Sequence, residues 1–223
     1  MTLARELSLQ RKNLVLSIEK FGHIKDPSIK SAMVKVRRED FVERAYFASA
    51  YVDLALPIPG GGSISQPTVH AMSLSALDLK KGEKFLEIGA GSGIMLAYAK
   101  EIVGKNGTVF GIEFNKETFE FGRRNLARAG FADKVTFIHG DGSGGLPDES
   151  PFDKVMISAA CPKVPKTVMN QVRNGGSIVA VIGVPEKDQE LTLLKKNGDG
   201  SWTKSEVGGV IFVPLRGKFG WKR

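Results

Sequence analysis

The residues best placed to do chemistry in this 223-residue chain are three acids, Glu87, Glu113 and Asp141, each at the end of a short apolar run. Glu87 lies in Phe85-Leu86-Glu87-Ile88-Gly89-Ala90-Gly91-Ser92-Gly93, where such a run meets a glycine turn. Glycines there let a ligand approach the backbone, and a helix starting after them presents unpaired N–H groups and the positive end of its dipole. Dinucleotide sites want Gly-x-Gly-x-x-Gly, whose last glycine packs the helix close to the strand. Here the third glycine comes one position early, and Ile94 stands where the last one belongs. A carboxylate two residues before the first glycine suits a ligand carrying an ammonium and a sulfonium better than one carrying phosphates. Glu113 follows Gly93 by 20 residues and can accept from both ribose hydroxyls, while Asp141, with Gly142, can accept from an adenine amino group. Any one of these acids alone reads as a cap or a solvated loop carboxylate. Three at the carboxyl ends of consecutive parallel strands, where open α/β sheets bind ligands, point to S-adenosyl-L-methionine. The expected cofactor residues of this core are Glu87, Gly89, Gly91, Ser92, Gly93, Glu113, Phe114, Asp141 and Gly142.

The methyl acceptor has to be read elsewhere. An Asn-Pro-Pro-Tyr segment, expected of one large group of amino-directed methyltransferases, is absent, and so is a Pro-Cys nucleophile for attack on a pyrimidine ring. Cys161 precedes Pro162 and reads as a small packed residue. None of the three histidines has an obvious nucleophile partner. So few acid–base groups suit an acceptor already anionic at neutral pH, namely a carboxylate, whose pKa of about 4 removes the need for a general base. Catalysis would then be mostly alignment.

The elements that must position these residues follow from the hydrophobic pattern. Residues 2–20 carry Leu3, Leu7, Leu14, Val15 and Ile18 near helical spacing, and a second helix is expected over 27–36, with Asp26 as N-cap and Pro27 at its first position. Residues 51–67, rich in proline and glycine, read as irregular, which inside a compact domain usually means functional. A helix is expected over 68–79. From residue 84 strands alternate with helices: strands at 84–88, 108–113, 134–139, 154–159 and 177–182, helices after the glycine turn to 103 and over 116–129 and 165–172. That alternation implies a parallel sheet with helices on both faces. Two last strands, 190–194 and 209–215, joined by the Asn197-Gly198-Asp199-Gly200 turn, suggest an antiparallel edge. The fold expected is α/β, a Rossmann-like class I methyltransferase with a mostly parallel seven-stranded sheet and an N-terminal helical extension. One domain, 1–223, is expected: helices and active-site loop to 67, cofactor-binding core 68–183, antiparallel edge and basic tail 184–223.

Composition narrows the remaining classes. With 42% hydrophobic and 25% charged residues the chain is that of an ordinary globular protein, and no apolar run approaches the ~20 residues that span a bilayer. The N-terminus lacks the apolar core of a signal peptide, and the lone Cys161 rules out an internal disulfide, so a cytoplasmic location is expected. The net charge of +8 sits in two flanks. Residues 1–50 hold ten Lys/Arg against six Asp/Glu, 216–223 add Arg216, Lys218, Lys222 and Arg223, and the stretch between is balanced. A solvated basic surface accounts for that distribution better than a nucleic-acid groove.

Several stretches resemble the protein-L-isoaspartate (D-aspartate) O-methyltransferase family over nearly the whole chain. They are Gly22-His23-Ile24-Lys25-Asp26, Arg38-Glu39-Asp40-Phe41-Val42, and the run from Ala50 to Ile58 that includes Tyr51-Val52-Asp53. Ser63-Ile64-Ser65-Gln66-Pro67 is similar to the family's signature loop. Downstream come Gly140-Asp141-Gly142, Pro151-Phe152-Asp153, the run from Ala159 to Pro165, and Val210-Ile211-Phe212-Val213-Pro214-Leu215. The resemblance implies a repair enzyme that methylates the abnormal carboxylate of isoaspartyl and D-aspartyl residues in damaged proteins, the ester then collapsing to a succinimide. It implies Ser65 as the active-site serine orienting that carboxylate, and Ser63, Ile64 and His70 as further cofactor residues; read alone, Ser65 is a turn serine before a helix and His70 a packed histidine. Arg216 stands where the family often has Thr after Val-Pro-Leu, and Ser63 where Thr is usual. Two alternatives remain at this stage: an RNA methyltransferase on the same cofactor core, and a cofactor-binding module without turnover.

Overall fold

A computed structural model describes residues 2–185 and 187–221. Its N-terminal part is helical. Helix α1 (Leu3–Lys20) buries Leu7, Val15 and Ile18, and α2 (Pro27–Lys35) starts where Asp26 accepts from the Ser28 N–H and Pro27 takes the first turn. Lys222 and Arg223, half of the expected basic tail, lie outside the described residues.

The seven-stranded sheet runs β5–β4–β3–β6–β7–β8–β9. Its strands are β3 (Lys84–Ile88), β4 (Thr108–Glu113), β5 (Thr136–His139), β6 (Phe152–Cys161), β7 (Val172–Gly183), β8 (Gln189–Lys196) and β9 (Trp202–Val210). Strands β3 to β7 are parallel; β8 is antiparallel to β7, and β9 to β8. The edge strand β9 thus points the same way as the parallel body, and β8 alone is reversed. The chain winds outward through β4 and β5, then returns to place β6 on the other side of β3. The crevice between β3 and β6 is the switch point at which open α/β sheets bind ligands.

Side chains alternate between the two faces of this sheet, as the pleat requires. Phe85, Met156, Val179 and Val181 join one cluster with residues of α1, α2, α3 (Pro67–Leu77), α4 (Ile94–Val103) and α5 (Lys116–Arg128). Leu86, Ile88, Val155, Ile157 and Ile178 face the other way, toward Val164, Val168 and Leu215. Burying each large apolar side chain contributes about 1.5–3 kcal/mol. The two faces are covered unequally, because among the described residues the second carries only the one-turn helix α6 (Lys166–Met169) and loop segments. The expected helix over 165–172 is cut short because Val172 is already in β7, paired with Phe152.

Two other expectations change. Residues 51–67 are not wholly irregular: β1 (Leu56–Ile58) and β2 (Gly62–Ile64) form a small antiparallel hairpin, with Leu56 facing Ile64. The last strand lies earlier than expected, at Trp202–Val210, and 211–215 leaves the sheet edge. Pro214 cannot donate to a ladder. The segment instead crosses to the middle of the sheet, where the Ala160 N–H donates to the Val213 carbonyl and the Leu215 N–H to that of Ala160, both at 2.8 Å.

Candidate active site

The glycine turn is set by local backbone demands. Gly93 caps α4 with φ of +84°, and a Cβ there would lie 2.9 Å from Leu126 Cγ, so only glycine fits between the turn and α5. Gly89 and Ala90 donate their N–H groups to the Ile112 carbonyl, which ties the turn to β4. Glu113, at the end of β4, accepts from the Gly91 N–H at 3.0 Å and from the Asn115 N–H at 2.8 Å. Both its oxygens are held by backbone, with lone pairs left toward the cavity it lines.

Glu87 behaves differently. It is 3% exposed; one oxygen accepts from Ser158 Oγ at 2.6 Å, and Oε2 has no partner. Burial pushes its pKa up to about 8; the Ser158 hydrogen bond opposes the rise and the nearby Glu113 charge adds to it. A buried carboxylate oxygen without a donor is a costly arrangement that calls for a cationic or N–H-bearing ligand. The ammonium of S-adenosylmethionine meets that demand, so the residues present fit this cofactor.

A cavity of about 370 Å³ lies over the switch point, within the range of small-molecule sites. It is lined by Ser63, Gly89, Gly91, Glu113, Phe114 and Gly142 among the expected residues, and Arg216 stands at its wall. A smaller cavity of about 40 Å³ adjoins it, sharing Ser63, Gly89, Gly91, Ser158 and Val213, and is bordered by Ile64, Ser65, His70, Glu87 and Ser92. His70 is buried edge-on to Tyr98, and desolvation, helped by the Arg38 charge, lowers its pKa to about 3, so the imidazole is neutral. Two expected residues are not brought into the lining. Gly93 sits beneath the turn, and Asp141 turns its carboxylate to the N–H groups of Ser143 and Lys218, at 2.9 and 2.8 Å. Burial alone would raise the Asp141 pKa, but those hydrogen bonds and the Lys218 charge outweigh it and hold the carboxyl below its usual value.

Sequence reasoning missed Ser158, Asn115, Thr118 and Val213. Ser158 was accessible, since it lies near the carboxyl end of β6, the strand across the switch point from β3. Asn115 and Thr118 owe their place to contacts about 55 residues away, with Thr118 Oγ1 donating to the Pro59 carbonyl at 2.8 Å and Asn115 Nδ2 to that of Gly60 at 3.2 Å. No local pattern signals such ties.

The sheet order, the switch-point cavity and a desolvated acid before a glycine turn define a class I methyltransferase. Comparison with known proteins narrows the class. The family model described as protein-L-isoaspartate(D-aspartate) O-methyltransferase matches residues 9–220, and the chain belongs to that family. It is 38% identical to the protein-L-isoaspartate O-methyltransferase of Methanothermobacter thermautotrophicus, with 96% of this chain and 98% of that one covered. To the Pyrococcus horikoshii protein of the same name it is 41% identical, over 98% of each chain. Among solved structures, a protein-L-isoaspartate O-methyltransferase superposes with a TM-score of 0.85 at 29% identity, covering 94% of this chain and 67% of that one. A Plasmodium falciparum protein assigned the same activity, in complex with S-adenosyl-L-homocysteine, superposes with a TM-score of 0.80 at 26% identity, over 92% and 98% of the two chains.

Proposed function

We propose that this protein transfers a methyl group from S-adenosyl-L-methionine to the free carboxylate of L-isoaspartyl and D-aspartyl residues in damaged proteins. Family membership supports the reaction, and one feature of the site carries the choice of a carboxylate: the smaller cavity offers no side chain free to act as a base at neutral pH. His70 is neutral with its pKa near 3, and Glu87 is engaged by Ser158 on one side and needed by the cofactor on the other. A carboxylate, already anionic at neutral pH, suits such a cavity because it needs no base.

When bound, the cofactor supplies an electrophilic methyl group on a sulfonium. Glu87 receives the ammonium in its ionised form, with Ser158 fixing the carboxylate's orientation. Glu113, aligned by Gly91 and Asn115, accepts from the ribose hydroxyls. Phe114 and Gly142 would hold the base, while Asp141 serves that end indirectly by holding 217–218 against the loop after β5. Gly89, Gly91, Ser92 and Gly93 shape the turn, and Ser63, Ile64 and His70 close the side opposite it. Ser65 donates its hydroxyl to one acceptor oxygen and leaves the other to form the ester bond. No proton needs to be removed, so catalysis rests on alignment and water exclusion. We place the protein in the cytoplasm, in keeping with its single, buried Cys161; among the described residues no helix is long and apolar enough to cross a membrane.

The deciding assay offers paired peptides that differ only in isoaspartate against aspartate. Base-labile methyl incorporation is expected in the isoaspartyl peptide alone. Equal labelling of both, or base-stable label in tRNA, would overturn the proposal.

A further inference from the structure

Ser65 is the first residue beyond the paired part of the β1–β2 hairpin, where Ile64 still faces Leu56, and it lies two residues before α3 begins. No hydrogen bond to its own side chain occurs among the described residues. Its position is therefore set by where the hairpin ends and where α3 starts. The start of α3 has an unusual cap. Its N-cap residue, Gln66, makes no side-chain cap hydrogen bond. Instead Asp53, fifteen residues upstream, accepts from the Thr68 N–H at 2.8 Å through Oδ1 and from the Thr68 hydroxyl at 2.6 Å through Oδ2. One carboxylate thus grips one residue twice and closes the base of the loop that carries Ser63, Ile64 and Ser65.

Asp53 is itself on a fixed footing. The neighbouring Leu54 carbonyl accepts from the guanidinium of Arg38, which is 1% exposed, and the Tyr51 hydroxyl accepts from the Arg38 N–H and donates to Glu39. At the far end, the hairpin tip is tied to Thr118 on α5 and to Asn115, the N-cap of that helix. Ser63 and Ile64 are held by strand pairing and by that tip. Ser65, outside the pairing and three residues from Thr68, depends most on the clamp at the base.

We infer that Asp53 is a positioning residue for methyl transfer: through its two-pronged hold on Thr68 it fixes the entry of α3, and with it the direction in which Ser65 meets the acceptor carboxylate. Asp53 does not line either cavity. The inference rests on the role proposed for Ser65.

The test is a double-mutant cycle on isoaspartyl peptide methylation, with cofactor binding measured by calorimetry. Asp53→Ala should lower kcat by about tenfold or more, since small misplacements of an aligning group are costly. Cofactor Kd should stay within about twofold. Asp53→Asn keeps an acceptor for the Thr68 N–H, with its amide facing the hydroxyl, and should recover most of the rate. Thr68→Val, which removes only the hydroxyl half of the clamp, should reduce kcat by about threefold if Asp53→Ala proves too unstable to assay. In a Ser65→Ala background, Asp53→Ala should cost less than about twofold more, the signature of residues acting as a unit. An equal fold loss from Asp53→Ala in the wild-type and Ser65→Ala backgrounds, or a wild-type kcat with only a lowered Tm, would reduce Asp53 to a helix cap and overturn the inference. A full rate in Ser65→Ala itself would remove the reading of Ser65 and this inference with it.

Discussion

The cavity has two walls built on different principles. One, the glycine turn with Glu87 and Glu113, stands on adjacent parallel strands and is held mainly by backbone N–H groups among residues 87–115, with Ser158 on Glu87 as a distant tie. The other, the β1–β2 hairpin with Ser63 and, just beyond it, Ser65, has six strand residues and takes its position from side-chain ties outside the hairpin: Asp53, Arg38, Thr118 and Asn115. The sheet wall cannot shift without breaking the sheet, whereas the hairpin wall can be loosened one tie at a time. With the roles proposed above, such a division keeps the contacts to the cofactor's ammonium and ribose on rigid elements and leaves acceptor alignment separately adjustable.

Substitutions in the two walls should therefore fail in different ways. The largest effect is expected from Glu87→Gln, which removes the carboxylate proposed to receive the cofactor ammonium: affinity for S-adenosylmethionine should fall by about 30- to 100-fold, or about 2–3 kcal/mol. The pH dependence has a definite sign. Because the pKa of Glu87 in the folded, ligand-free protein is raised to about 8 from an ordinary 4.5, the wild type should bind more tightly as pH rises toward 8 and release a proton on binding; the Gln variant should do neither. The same shift opposes folding, with wild-type stability declining between about pH 4.5 and about 8 relative to Glu87→Gln. Calorimetry in buffers of differing ionisation enthalpy and thermal unfolding across that range check both.

Gly93→Ala comes next. It forces a side chain into left-handed backbone and against Leu126, and should destabilise the protein by about 2–3 kcal/mol, a Tm drop of about 5–10 °C. In the other wall, Gly60 has φ of +89° and a Cβ would lie 2.2 Å from Thr118 Oγ1, yet Gly60→Ala should lower Tm by less than about 3 °C because the tip can lift away. Its cost should appear in activity instead, with KM for cofactor or peptide raised about tenfold. Equal Tm losses from the two glycine variants would erase the distinction between the walls. The smallest effect belongs to Thr118→Val, which removes the tie to the Pro59 carbonyl alone and should cost about 1 kcal/mol or less, read as faster amide exchange in 60–62 with the sheet unaffected.

The same division explains what the sequence disclosed. The sheet wall was legible because its chemistry is local: an acid, a glycine turn and the start of a helix within a dozen residues, and short strands rich in apolar residues. Asp141 stands at the strand end expected of it, but the sequence did not disclose that its carboxylate accepts from the Lys218 N–H, because Lys218 lies 77 residues away. The hairpin was invisible to periodicity, since three-residue strands are too short to show alternation. Ser65 came to notice only through resemblance to a family. The strand expected at 209–215 failed for a related reason: its residues look like a strand, but their hydrogen bonds go to Ala160 at the centre of the sheet and to the side chain of Gln189.

That crossing has a consequence for how the protein comes into being. Val213, Pro214 and Leu215 complete the cavity wall, and Trp221 secures them by donating its indole N–H to the Ala160 carbonyl at 2.9 Å. A chain growing from its N-terminus makes the glycine turn more than 120 residues before this wall. Until residues 213–221 cross back to β6, the glycine turn faces an open crevice, so the recognition motif precedes the pocket that it serves.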